Sequence, residues 1–191
     1  MAARAYGGYL GMNDAISAAE EKWRKAAHLA SDYRQELALM AVLRAHTIMD
    51  RDRLVSFQSV YRLLAFTDAL PMVHESLRDG DHSRSVSFGA KTARDNFIAA
   101  YQQIDWKEFG QIQRFRNEAL AHATWEELKL RVTYGALERL VRIECELLHQ
   151  LNLLYRDSAE HIERHLNDAR HTSAEFWTAA INSEASGDLD W

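Results

Sequence analysis

The chain has 191 residues, of which 47% are hydrophobic and 27% are charged, and its net charge at pH 7 is -5. This length and composition predict one domain with a full core. The negative charge excludes attraction of nucleic acid by the whole surface, although a small basic cleft remains compatible with it. Because the chain contains one proline and eight glycines, long stretches are free to form helices.

The predicted elements begin with a flexible N-terminus at residues 1–12. One helical domain follows over residues 13–182, and an acidic, disordered tail occupies residues 183–191. Apolar residues at three-to-four spacing predict helices within the domain at 13–49, 54–77, 87–104, 106–122, 134–155 and 158–181. Pro71 should kink or split the second of these, and residues 78–85 form the clearest loop. We therefore expect an all-α bundle of about five to six helices.

Local capping patterns mark where two of these helices should begin and where the chain should break between them. Asp105 precedes a helix with Glu108 at its third position, which is the pattern of a capping box. Thr124 and Glu127 repeat this pattern and predict a break near Ala123. Thr133 is placed to cap the helix that follows.

Other features of the sequence bear on the compartment. Cys145 is the one cysteine, so an internal disulfide is impossible, as expected in a reducing cytosol. The first residues lack the basic and apolar run of a signal peptide, and no apolar stretch reaches about 18 residues. We therefore expect a cytoplasmic protein that makes no membrane contact.

The segment from Arg116 to His122 reads RNEALAH and resembles the motif of the HEPN superfamily. That motif is an arginine, four to six residues and a histidine, often with an asparagine directly after the arginine. The wider pattern is most similar to the AbiU-like, abortive-infection branch, with long leading helices, a helix opening at Thr133-Tyr134 and a Phe176-Trp177 pair.

The resemblance implies a HEPN-like bundle that pairs into homodimers, with the motif helices at the interface. It also implies a metal-independent endoribonuclease or toxin of a bacterial defence or toxin–antitoxin system, with RNA as substrate and an antitoxin as a second protein partner. We expect no cofactor and no metal ion. His122 would be the base, Arg116 the cation for the phosphate, and Asn117 an orienting residue. Arg114 and Lys107, just upstream, would bind RNA.

Helix geometry complicates this site, because six residues along an ideal helix leave Arg116 and His122 roughly 120° apart. Either the helix breaks before His122 or two protomers share one cleft, and the resemblance implies the second arrangement. One further position departs from the pattern. In HEPN toxins paired with a nucleotidyltransferase, a tyrosine often stands where this chain has Thr124, which puts modification at that position in doubt.

Other interpretations remain open. Two more pairs match the bare spacing, Arg156 with His161 and Arg164 with His171, but they lack the adjacent asparagine. His122 also continues an apolar stripe and would serve equally as a structural histidine. The alternatives to a nuclease are therefore a non-catalytic HEPN-like dimerisation module that binds RNA, nucleotide or protein, and a helical adaptor.

A second polar cluster and the cysteine complete the candidates. The sequence HIERH places two histidines one helical turn apart, but its acid stands at a different position from that of a zinc-binding HExxH motif. We interpret this cluster as a solvated helix face rather than a metal site. Its members are His161, Glu163, His165 and Asp168. Cys145 lies among apolar residues and is interpreted as inert packing.

Overall fold

The computed structural model describes residues 2–19, 25–50, 55–66, 70, 88–121, 132–156 and 162–186, and the fold is given for these residues. They form seven α-helices and no strand, which confirms the all-α class. The helices are α1 (Ala2–Ala18), α2 (Lys25–Met49), α3 (Phe57–Ala65), α4 (Phe88–Gln102), α5 (Trp106–Ala121), α6 (Tyr134–Arg156) and α7 (Ile162–Ser186).

Helix α1 corrects the expectation of a flexible N-terminus at residues 1–12. Residues 2–18 are helical, and Tyr6 and Tyr9 are buried. The ring of Tyr9 stacks between those of Tyr6 and Tyr134, with centroid distances of 5.6 and 4.8 Å. The glycines that suggested fraying instead allow α1 to approach another helix closely, and this packing is invisible to local sequence patterns.

The two helices at the ends of the described chain, α1 and α7, pack tightly against each other. Arg170 on α7 binds both carboxylate oxygens of Asp14, with donor–acceptor distances of 2.7 and 3.1 Å. Ser173 donates its hydroxyl to the carbonyl of Gly8 at 2.9 Å. Helix α7 continues to Ser186, beyond the predicted start of the tail at 183, and residues 187–191 lie outside the described part.

The remaining boundaries follow the local signals in part. The predicted helix over 13–49 is two helices, α1 and α2, with residues 20–24 between them outside the described part. Of the stretch predicted as a helix over 54–77, residues 57–65 form α3. Its first turn is capped by Ser56, whose hydroxyl accepts from the amide of Ser59 at 3.3 Å. Pro71 and the predicted loop at 78–85 lie outside the described residues.

One continuous core joins α1 to α2, α3, α4, α5, α6 and α7. Helix α4 packs along α6 and also against α3. Fully buried side chains at the centre include Phe97, Ile112, Leu137 and Leu147. None of the helices described is long and apolar enough to cross a membrane. The core positions α5, which carries the motif, with one face inward and one face toward solvent.

Candidate functional site

Helix α5 begins where its capping signal predicts. The carboxylate of Asp105 accepts hydrogen bonds from the amides of Lys107 and Glu108, at 2.9 and 3.0 Å. Glu108 does not serve the predicted capping box with its side chain, because its carboxylate binds the guanidinium of Arg139 on α6. The Asp105 cap is therefore confirmed, while the glutamate ties α5 to α6.

The apolar stripe of α5 faces the core of its own protomer. Phe109, Ile112 and Phe115 are buried, at 6%, 1% and 6% exposure. The ring of Phe109 also stacks on that of the buried His46, with centroids 5.6 Å apart. Because this stripe is covered within one chain, it is not the surface by which two motif helices would meet. A pairing of protomers through α5 would therefore use its other faces.

Arg116 lies toward the core side of α5, one helical turn after Ile112. Its side chain is half-buried, and its Nε atom is buried with no hydrogen-bond partner among the described residues. An unpaired buried donor costs about 1–3 kcal/mol and is rare in folded proteins. The guanidinium therefore carries one donor that the described residues leave unsatisfied.

The other basic residues of the motif region lie elsewhere on the helix. Lys107 and Arg114 are seven residues apart, so they share one face, and both are exposed. Arg114 donates its Nε to the carbonyl of Gly110 at 3.3 Å. This face lies roughly 160–180° around the helix from Arg116. Within one protomer, α5 thus does not bring the predicted RNA-binding residues together with the predicted catalytic arginine.

Asn117 is exposed on α5 and follows Arg116 directly. His122 lies outside the described residues, as do Ala123 and Thr124, because the described part of this region stops at Ala121 and resumes at Val132. The distance between Arg116 and His122 thus stays a prediction. So do the role of His122 as base and the predicted helix break near Ala123.

The competing pair Arg164 and His171 is fully described and is solvent-exposed, at 79% and 75% of the side chain. Each forms a pair with an acid on its own helix, Arg164 with Asp168 at 3.7 Å and His171 with Glu175 at 3.1 Å. For the other pair, Arg156 ends α6 and His161 lies outside the described residues. Each side chain of this pair therefore lies mostly in solvent, paired with an acid of its own helix.

In the polar cluster at the start of α7, both acidic residues form ion pairs with arginines. The carboxylate of Glu163 binds Arg142 on α6, and that of Asp168 binds Arg164. Among the described residues no group of three or more potential ligands could hold a metal ion. His161 lies outside them. These ion pairs are typical of a solvated helix face.

Sequence reasoning missed a buried acid on α6. Glu144 is 3% exposed, and its Oε1 atom has no hydrogen-bond partner among the described residues. Burial raises the pKa of its carboxyl to about 8, because the charged form loses its hydration. The signal was present, since Glu144 stands four residues after Leu140 and three before Leu147, within the apolar stripe.

Glu144 lines a cavity of about 480 Å³ bounded by α1, α2, α6 and α7, with Val55 also at its wall. Cys145 lies beside it, and burial raises the pKa of that thiol to about 12. The prediction of an unreactive cysteine agrees with this environment.

Comparison with known proteins adds no relative to these observations: no family model, no curated protein and no solved structure matches the chain.

Proposed function

We propose that the protein is a HEPN-like, metal-independent endoribonuclease or toxin that acts as a homodimer. The observation that carries the proposal is the half-buried guanidinium of Arg116, whose Nε lacks a partner among the described residues. It lies in a segment, RNEALAH, that also supplies an exposed Asn117 and a histidine. A bacterial defence or toxin–antitoxin role, with an antitoxin as partner, belongs to the same proposal.

The chemistry requires few groups. The 2′-hydroxyl of the RNA attacks the adjacent phosphorus, and His122 takes its proton. Arg116 stabilises the negative charge that grows on the phosphate oxygens, for which a planar, permanently charged guanidinium is well suited. The bond to the 5′-oxygen then breaks, and that oxygen receives a proton from the imidazolium or from water. The products are a 2′,3′-cyclic phosphate and a 5′-hydroxyl end.

The basic face of α5 has a separate role in this proposal. Lys107 and Arg114 point away from Arg116 on their own helix, so they cannot contact the same phosphate within one protomer. They would bind the RNA backbone on either side of the reacting bond, or in the partner protomer's half of the cleft. The positive charge of this face would act on RNA only at short range, because the net charge of the whole chain is negative.

One observation favours a second candidate, the helical adaptor with a structural histidine. Arg116 follows the buried Ile112 by four residues, so its aliphatic part packs at the edge of the core. An arginine in that position also serves packing alone. The third possibility is a non-catalytic HEPN-like module, in which Arg116 would bind a phosphate but the RNA would not be cleaved.

The deciding experiment measures cleavage of a labelled single-stranded RNA by the purified protein in excess chelator. We expect cleavage with 2′,3′-cyclic phosphate ends, and a loss of about 100-fold or more in Arg116→Ala and in His122→Ala. Circular dichroism should show that both variants keep the helical content of the wild type. If added zinc or magnesium were needed for activity, the proposed mechanism would be wrong.

The chain offers a matched control in Arg164 and His171, which fall within the same four-to-six-residue arginine–histidine pattern at exposed positions. Arg164→Ala and His171→Ala should retain full activity. Loss of activity in this pair with retention in the Arg116 and His122 variants would place the site on α7 instead. Binding of RNA without cleavage, weakened by Arg116→Ala, would favour the non-catalytic module, and absence of both would favour the adaptor.

A further inference from the structure

The cavity beside Glu144 has the dimensions of a small-molecule site. Its volume of about 480 Å³ lies within the range of ligand pockets, roughly 300–1,000 Å³. Most of its wall is apolar, formed by Ala2 and Ala3 from α1, Ile48 from α2, Val141, Cys145 and Leu148 from α6, and Ile162 from α7. Val55, which is 81% exposed, also lines it, so the cavity reaches solvent.

Glu144 is the acidic group among the described residues of this wall. It belongs to the inward face of α6, between the buried Val141 and Leu147. Its Oε1 atom is buried and has no hydrogen-bond partner among the described residues. A buried acceptor without a donor is costly, and a carboxylate gains most from a positively charged donor. The position therefore provides an acidic contact in a mostly apolar space, whose described wall also contains Arg44 and Thr47.

The other described polar side chains on the wall do not pair with the Oε1 atom of Glu144, and burial, which raises the pKa of its carboxyl, is offset only in part by the positive charge of the N-terminus. Arg44 on α2 is half-buried and has interactions of its own. Thr47, one turn further along α2, donates its hydroxyl to the carbonyl of Leu43 at 2.8 Å. Apolar walls around one unsatisfied carboxyl match a ligand with a hydrocarbon body and a single cationic head.

We propose that this cavity binds a small amphiphilic amine, whose ammonium group pairs with the carboxyl of Glu144 as that carboxyl releases its proton, and whose hydrocarbon part lies among Ile48, Val141 and Leu148. The proposal is independent of RNA cleavage, because none of these residues belongs to the motif on α5. Each methylene that enters the apolar part should tighten binding about fourfold, as expected from the transfer of a methylene out of water.

Titration calorimetry with short alkyl probes tests this directly. Butyl-, hexyl- and octylammonium are compared with the alcohols of equal length and with hexanoate, all well below micelle-forming concentrations. We expect hexylammonium to bind the wild type at least tenfold more tightly than hexanol, with hexanoate weakest. Equal affinity for the ammonium ion and the alcohol, or preference for hexanoate, would overturn the proposal.

Variants locate the site. Glu144→Gln should lose the preference for the ammonium ion over the alcohol while it still binds hexanol, because the apolar wall is unchanged. The matched control is Glu146→Gln on the same helix, where the side chain is exposed and pairs with Gln150 at 2.6 Å. It should bind like the wild type, and an equal loss of preference in both variants would contradict the proposed contact.

A second measurement needs no variant and covers the case in which Glu144→Gln fails to fold. Cys145 lines the cavity and is the one cysteine in the chain. Saturating hexylammonium should slow its modification by a thiol reagent at least fivefold, and butanol at equal concentration should not. Unchanged modification in saturating hexylammonium would show that the amine does not occupy this cavity.

Discussion

Gly11 on α1 lies directly against Arg170 on α7, and a Cβ atom at Gly11 would overlap the carbonyl oxygen of that arginine. The same atom would lie 2.7 Å from both the amide nitrogen of Ala174 and the Cβ of Ser173. Gly7, one turn earlier, meets the carbonyl of Leu166 in the same way. The two helices can approach this closely because neither glycine carries a side chain.

The first prediction is that Gly11→Ala destabilises the protein by about 1–3 kcal/mol, because the overlap involves backbone atoms that cannot move aside. Urea denaturation followed by circular dichroism measures it. The control is Gly110→Ala on α5, where a Cβ would meet nothing within 4 Å. That change should stabilise the protein by up to about 1 kcal/mol through helix propensity. Equal stability of the two variants would mean that α1 and α7 are further apart.

The second prediction concerns Arg94 on α4, which closes the C-terminal end of α3. Its Nε donates to the carbonyl of Leu64 at 2.7 Å, and its Nη2 donates to the carbonyl of Phe66 at 3.2 Å. Arg94→Met should cost about 1–3 kcal/mol, because both carbonyls lose a charged donor. Arg164→Met, at a 79% exposed position, should change the free energy of unfolding by less than about 0.5 kcal/mol.

The third prediction is a pH dependence caused by Glu144. Its carboxyl keeps a proton in the folded protein up to about pH 8, whereas an unfolded glutamate ionises near pH 4.3. Between these values unfolding releases a proton, so stability should fall as the pH rises, by at most about 1.4 kcal/mol per unit. Above about pH 8 this loss is complete.

Urea denaturation at pH 5, 6, 7 and 8 measures this slope. The free energy of unfolding of Glu144→Gln should depend less on pH than that of the wild type. The stability of the variant relative to the wild type should therefore increase from pH 5 to pH 8. Glu36→Gln, at an exposed position on α2, should keep the wild-type profile. Parallel profiles of the wild type and Glu144→Gln would show that the carboxyl is hydrated in the folded protein.

The fourth prediction is that Cys145 reacts slowly. With its pKa raised to about 12 by burial, the thiolate fraction at pH 8 is roughly a thousandfold lower than for an exposed cysteine. Alkylation of the native protein should be slower than that of the urea-unfolded protein by about this factor. Cysteine introduced by Gln113→Cys on the exposed side of α5, with Cys145→Ser, provides the fast control. Similar rates for the two cysteines would contradict the burial.

The fifth prediction is homodimerisation, on which the shared cleft of the proposed nuclease depends. Sedimentation at micromolar concentration should give a species of twice 22.0 kDa. A chain carrying Arg116→Ala mixed with one carrying His122→Ala should regain part of the activity after subunit exchange, since one intact copy of each group remains. An isolated, folded heterodimer without activity would exclude the cross-chain pair, and a 22.0 kDa species alone would exclude the shared cleft.

Local signals predicted the starts of α5 and α6. Asp105 and Thr133 cap α5 and α6 as expected, with hydroxyl or carboxylate oxygens 2.9–3.2 Å from the first free amides. Such contacts depend on residues within one turn of each other, and they are therefore readable from the chain alone. Glu108 fits a local capping box equally well, but its carboxylate is taken by Arg139, 31 residues away.

Long-range packing was not readable in this way. The glycines and tyrosines of α1 suggest a frayed segment until α7 is placed beside them. Arg116 stands one turn after Ile112 in the sequence, but whether the core covers that side of the turn depends on contacts from other helices. The stripe around Glu144 indicates that this acid is buried, but it does not reveal that a cavity lies next to it.

The pairing of α1 with α7 also governs when the fold can form during synthesis. Asp14 and Arg170 are 156 residues apart in the chain, so α1 leaves the ribosome well before its partner exists. At about 5–20 residues per second, this delay is roughly 8–30 s. For that time the apolar face of α1, with Tyr6, Tyr9 and Met12, has no native partner in α7. The nascent chain should accordingly be most prone to chaperone binding and aggregation through this face, and most of its protease resistance should appear only after α7 has emerged.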